Sequence, residues 1–202
     1  MSSEVSLRPV VPGDLDLFES EFTTQDGTGP FQWFGFTSTH RLRERYAEDR
    51  LLGREGGMLT ITAAGRAVGR VEWFASAWGR PDTSACWTIA IALVPAARGR
   101  GTGTAAQRQV VDYLFAHTRA ERVQAFTDHA NLAEQRALEK AGFTREGTLR
   151  SAQWRSGRWH DQVLYSVLRT DTPVAESVVR SQHSGHFDPK GPSRHQSIRG
   201  SA

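Results

Sequence analysis

Cysteine is nearly absent from this chain. Cys86 is alone among 202 residues, so no internal disulfide can form and a disulfide-stapled secreted scaffold is excluded. Lysine is almost as scarce, with Lys140 and Lys190 set against 23 arginines. A P-loop ends in Gly-Lys-Ser/Thr, and neither lysine sits in that context. No apolar run approaches membrane-spanning length, and the N-terminus has no signal-peptide pattern. The expected setting is therefore a reducing cytoplasm, with no membrane partner. Net charge is only +3, and no continuous basic stripe is present, which argues against a nucleic-acid partner. The arginine skew reads equally well as a GC-rich genome. His183, His186 and His195 cluster near the end, but their spacing is not that of metal ligands and no cysteine joins them; no metal is expected.

What is present is organised around one stretch. Residues 87–94 read as a buried strand that Pro95 stops, and Gly99, Gly101 and Gly103 follow in a turn. Ala106, Val110, Tyr113 and Leu114 then recur at helical spacing, as far as about His117. A strand, a glycine turn and a helix start make an anion site, because the first N–H groups of a helix have no internal partner and glycine lets a phosphate approach them. Arg98 and Arg100 add forked donors suited to phosphate. A phosphorylated cofactor is implied. Two readings compete. Residues 101–106 fit the G-x-G-x-x-A form of a dinucleotide-binding turn, with Asp128 where a ribose-binding acid would sit, although four residues separate the strand from those glycines. The alternative is Arg98-x-x-Gly101-x-Gly103, a pyrophosphate loop.

The residues after the loop decide between them. Residues 131–143, from Asn131 to Gly142-Phe143, and residues 146–168, with Gly157, Trp159 and Asp161, follow in order. Together with the loop they resemble the GNAT N-acetyltransferases, in particular the Rim branch of ribosomal-protein N-terminal acetyltransferases, over residues 5–170. The resemblance implies one α/β (α+β) domain with a mixed, mainly antiparallel twisted sheet flanked by helices. It also implies a V-shaped splay between the two central strands, expected between those ending near Phe74 and Val94. Residues 1–170 suffice for a useful core. Residues 171–202, rich in Ser, Gly, Pro and His, are expected to form a flexible tail.

Along the chain, residues 5–11 read as a strand and Asp14 as a helix cap before Leu15, Leu17, Phe18 and Phe22. Residues 23–29 read as a loop and 39–52 as a charged helix. Strands are expected over 58–62, 67–74, 122–127, 144–152 and 159–168, a loop over 76–84, and a helix over 131–141 that Gly142 ends. The last hairpin should turn at Ser156-Gly157.

By resemblance, acetyl-CoA is the cofactor. Its pyrophosphate would take Arg98, Gly99, Arg100, Gly101, Thr102, Gly103 and Thr104. Its pantetheine arm would pair along Ile91, Leu93 and Val94 and bond Asn131, and the Leu93 N–H would stabilise an oxyanion. Glu72 is the candidate base on its strand. The tyrosine acid of many GNAT enzymes is Leu138 here, and the usual Rim serine is Glu134, so Glu134 stands as the candidate acid. Phe31, Trp33, Phe34 and Phe36 put four aromatics in six residues, read either as a hydrophobic plug or as the wall of an acceptor site for a bulky apolar amine. The implied partner is an amine, either a small molecule or a peptide N-terminus, and the protein a monomer or homodimer. A non-catalytic acyl-CoA-binding module is the main alternative, and a dinucleotide oxidoreductase the more distant one.

Overall fold

The computed structural model describes residues 4–171, so the tail expected over 171–202 lies outside the described residues apart from Asp171. The chain begins with strand β1 (Val5–Pro9), helix α1 (Pro12–Phe22), a single turn α2 (Gln25–Thr28) and helix α3 (His40–Asp49). Strands β2 (Leu52–Gly53), β3 (Gly56–Ala63) and β4 (Arg66–Ala77), the turn α4 (Pro81–Ser84) and strand β5 (Ala85–Leu93) follow. Helix α5 (Thr102–His117), strand β6 (Arg122–Asp128), helix α6 (Leu132–Lys140) and the hairpin β7 (Thr144–Arg155) and β8 (Arg158–Leu168) complete it.

The strands form one sheet in the order β1-β3-β4-β5-β6-β8-β7, with β2 beside β3. Every pairing is antiparallel except β5 with β6. One face packs on α5 through Val71, Trp73, Ile89, Val110 and Leu114. The other packs on α1 through Val10, Leu15, Phe18 and Phe22, with Leu51 and Met58. Alternation along β4 and β5 sorts the side chains between these two cores, which is why β3, covered on both faces, is buried almost throughout.

Local chemistry explains the ends. Asn131 caps α6, its side-chain oxygen accepting the Glu134 N–H at 3.3 Å. Gly142 closes the helix at φ +98°, with Gly142 N–H on the Glu139 carbonyl and Phe143 N–H on the Leu138 carbonyl. This is a Schellman closure, and the buried Leu138 and Phe143 make its apolar contact. Ser156 and Gly157, both at positive φ, form the two-residue turn of the last hairpin.

Several expectations are corrected. Asp14 is not the cap of α1, because the helix starts at Pro12 with Val11 before it. Asp14 lies one turn in, buried, and its carboxylate accepts the Val11 N–H, the Arg8 guanidinium and the Thr60 hydroxyl. The loop over 23–29 contains α2, whose Thr24 oxygen accepts the Gly27 N–H. A Cβ at Gly27 would lie 1.6 Å from the Glu21 carbonyl oxygen, so only glycine fits this return. The loop over 76–84 contains the end of β4 and α4.

The splay is also elsewhere. β4 and β5 stay paired to Gly69↔Leu93, whereas β5 and β6 pair only from Trp87↔Val123 to Ile89↔Ala125. Antiparallel β4 and β5 hold each other throughout. The parallel pair is joined by a crossover through α5, and beyond Ile89 the two strands part.

Candidate active site

The parted strands open a cleft of about 690 Å³. Backbone alternation decides what β5 offers it. Val94 N–H donates to the Val68 carbonyl, so Val94 and Ala92 bond toward β4 while Ile91 and Leu93 face the gap. Both of these carbonyls are already taken. Gln32 Nε2 donates to Ile91 O at 2.9 Å, and Arg98 Nε donates to Leu93 O at 3.0 Å. The Leu93 N–H, beyond the last β5–β6 pair, is left facing the opening as a donor.

Helix α5 points its N-terminus into the same cleft. Gly101 holds the left-handed conformation at φ +80°, and the first helical bond is Ala105 N–H to Gly101 O at 3.0 Å. The N–H groups of Thr102, Gly103 and Thr104 precede that bond and form an anion-binding end. Gly103 faces Ile91 and Leu93, and a Cβ there would stay at least 3.7 Å from both side chains. A methyl group would therefore just touch both side chains, and anything longer would have to extend into the cleft.

Most of the residues expected at the cofactor meet here. Ile91, Leu93, Arg98, Gly99, Gly101, Gly103, Thr104 and Asn131 line the cleft. Val94, Arg100 and Thr102 do not: the Val94 N–H is spent on β4, Arg100 is exposed, and the Thr102 side chain is buried. Arg98 is less free than its charge implies. Besides Leu93 it donates to the Gly27 carbonyl, tying α2 to the loop.

Glu134 also lines the cleft, half-buried, and accepts a hydrogen bond from Gln107 on α5. Burial pushes its carboxyl above the ordinary range, partly offset by that bond. The oxygen of that same Gln107 amide, Oε1, is buried beside the cleft and has no partner among the described residues. Glu72 is half-buried on β4, on the α1 side of the sheet, and is not at the cleft wall. Its register partner on β5 is Ala90, which is at the wall and presents only a methyl group. Among the described residues Glu72 forms no ion pair.

The aromatic segment divides. Phe31 and Phe34 line the cleft, whereas Trp33 and Phe36 do not. Those two pack edge to face at 5.3 Å, with Phe36 93% exposed, so the segment as a whole is not a buried plug. Cys86 is buried in β5 away from the cleft wall, and burial raises its thiol pKa against the pull of Arg122.

One constellation has no signal in the sequence. Asp128, at the end of β6, and Arg155, at the end of β7, are each only 5% exposed. Arg155 Nη2 donates to Asp128 Oδ2 at 2.5 Å, and Ala130 N–H donates to Asp128 Oδ1 at 2.8 Å. Burial alone would raise the Asp128 carboxyl, but the bonds from Arg155 and Ala130 outweigh it and hold it below the usual range. Asp128, Gln153 and Gln162 face the cleft. The nearest sequence hint was Asp128 as a ribose ligand, and its partnership with Arg155 rules out that free carboxylate.

The profile of the family described as "Acetyltransferase (GNAT) domain" matches residues 4–144. Among curated proteins, the probable N-acetyltransferase YjcK of Bacillus subtilis (strain 168) is 36% identical over 106 residues, which is 52% of this chain and 57% of that protein. The match thus spans little more than half the length of that relative. Solved structures that share the fold include the following two. The spermidine N-acetyltransferase of Vibrio cholerae in complex with CoA and spermine has a TM-score of 0.70 at 19% identity, covering 83% of this chain and 96% of that one. Mycobacterium smegmatis RimJ in complex with CoA-disulfide has 0.72 at 21%, covering 85% of each chain.

Proposed function

Because the chain belongs to the GNAT acetyltransferase family, we propose that it acetylates a primary amine, using acetyl-CoA, by direct attack in the β5–β6 cleft. One observation carries this reading. A single opening joins the bare N-terminus of α5, the outward edge of β5 and the Phe31–Gln32–Phe34 wall. Acetyl-CoA supplies the thioester. Its fit to the site is supported by the absence of a side chain at Gly103 on the cleft wall, by the N–H groups of Thr102, Gly103 and Thr104, and by the unpartnered Gln107 oxygen beside the cleft.

The chain's own groups then divide the work. Phe31 and Phe34 hold the acceptor. Glu72, working through water past the small Ala90, takes the proton the attacking amine must lose. As the C–N bond forms, the Leu93 N–H donates to the oxygen on which negative charge develops. As the C–S bond breaks, Glu134 gives a proton to the leaving sulfur. Its burial suits that role, because a carboxyl with a raised pKa stays protonated at higher pH. The acceptor is a small-molecule amine or a peptide N-terminus.

Acetyl-CoA should raise the melting temperature, since it binds only the folded state, and Gly103→Arg should abolish that rise by filling the space beside the helix end. A full shift in the variant would mean the loop is misassigned. A mass-spectrometric search for acetylated products over peptides and amine metabolites tests the reaction itself. Binding of acetyl-CoA without transfer to any member of the panel would favour the non-catalytic acyl-CoA-binding alternative.

The acid assignment makes a pH prediction. If Glu134 donates its proton, turnover should decline as pH rises through its raised pKa, and Glu134→Gln should lose that limb as well as rate. Stability has a matching sign. A carboxyl whose pKa is raised by folding stabilises the fold fully below its unfolded value, and that contribution is lost as pH rises through the folded value. Glu134→Gln should therefore be at least as stable as wild type at pH 8. A variant markedly less stable there, with an unchanged pH–rate profile, would remove Glu134 from the mechanism.

A further inference from the structure

We propose that Arg155 is a positioning residue for the acceptor. Its buried guanidinium fastens the Phe31 wall to the end of β6, so that the acceptor side of the cleft is shaped before an amine arrives. The inference rests on the transfer reaction proposed above.

The geometry begins at the hairpin. Arg155 is the last residue of β7, and its side chain runs inward, away from the Ser156-Gly157 turn. Nη2 binds Asp128, 27 residues away in the chain. Nη1 donates to the Phe31 carbonyl at 3.1 Å, across 124 residues, and to Gln153 Oε1 at 3.3 Å. The guanidinium carbon also lies 5.6 Å from the centre of the Phe31 ring, within cation–π range. Three chain segments thus meet on one planar group, and from each of them a partner of Arg155 lines the cleft: Phe31, Asp128 and Gln153.

His160 steadies the fork. His160 Nδ1 lies 3.2 Å from Arg155 Nη2 and 3.4 Å from Asp128 Oδ2. A carbonyl can only accept, so His160 Nε2 carries the proton and donates to Arg155 O at 3.1 Å. The ring therefore touches both members of the Asp128–Arg155 pair and, through Nε2, the Arg155 backbone. Both Asp128 oxygens are engaged by Arg155 and Ala130. The pair brings no free charge to the cleft. A buried ion pair adds little net stability over an apolar replacement; what this one supplies is a fixed distance between the acceptor wall and the parted strands.

Arg155→Lys separates positioning from charge balance. The ammonium keeps a cation beside Asp128, but it lacks the planar fork needed to hold Asp128 and Phe31 together. The expected result is a melting temperature close to wild type and an unchanged acetyl-CoA-induced shift. Amide hydrogen exchange over residues 30–36 should be faster. The acceptor KM should rise about tenfold, the equivalent of one charge-assisted hydrogen bond, with kcat far less affected. The double variant Asp128→Asn/Arg155→Met removes both charges, leaves no buried ion unpaired, and should show the same exchange and KM changes. Wild-type exchange over 30–36 in both variants overturns the proposal. So does an acceptor KM that stays constant while exchange accelerates. If the wild type acetylates no amine, the proposed reaction fails, and the exchange rates still decide whether Arg155 holds the wall.

Discussion

Glu72→Gln is expected to lower turnover by about 10²–10⁴-fold, the usual contribution of general acid–base catalysis. Glutamine keeps the size and hydrogen bonding of glutamate but cannot accept a proton. The acetyl-CoA-induced rise in melting temperature should persist, because the helix end proposed to take the pyrophosphate is separate from β4. The deficit should narrow at higher pH, where more of the acceptor amine is already neutral. An even loss at every pH would make Glu72 a residue that only places the amine. Wild-type rates would discard it and leave positioning and the Leu93 N–H as the main catalytic terms. The site makes this a sharp test, since Glu72 lies one strand back from the wall, behind Ala90.

Asp128→Ala is expected to cost about 3–5 kcal/mol of stability at neutral pH, because it leaves Arg155 buried and uncompensated. For a domain of this size that corresponds to a fall of roughly 10 °C in melting temperature. The pH dependence follows from the direction of the shift. The folded carboxyl titrates below its unfolded value, so its contribution is present above the unfolded pKa and disappears as pH falls through the folded one. Urea unfolding of wild type and variant should therefore give a constant gap from neutral pH down to about pH 5, near the upper edge of the unfolded carboxyl's titration range. The gap should close only in stronger acid. A gap that closes already near neutral pH, or a loss below 1 kcal/mol, would show that Asp128 and Arg155 are not the coupled pair seen here.

Much of the fold was legible because its signals are local. Gly142 as a helix end, Ser156-Gly157 as a turn and the Gly101–Gly103 loop opening α5 each act within a few residues. Their chemistry is complete in the sequence itself. The mainly antiparallel sheet was implied by the family resemblance and not by any such local signal. Asp14 was misread as a cap because Pro12 is better suited to the first helical turn, and the aspartate's remaining partners, Arg8 and Thr60, come from two strands.

The rest depends on which distant segments come together. Periodicity placed the strands but not the point where two of them part. That point lies between β5 and β6, the one parallel pair among the described residues, rather than beside β4. Nothing in the residues 31–36 marks Phe31 and Phe34 for the cleft and Trp33 and Phe36 for the outside. Gln107 and Glu134 are 27 residues apart, and Phe31 and Arg155 are 124 apart. A side chain's charge and donors are written in its own identity, so the sequence determined which groups were available. Whether a carboxylate ends free, as at Glu72, shielded against Gln107, as at Glu134, or neutralised by Arg155, as at Asp128, was decided only by the tertiary packing. Burial and the nearest opposite charge, not residue type, set what each of them can do.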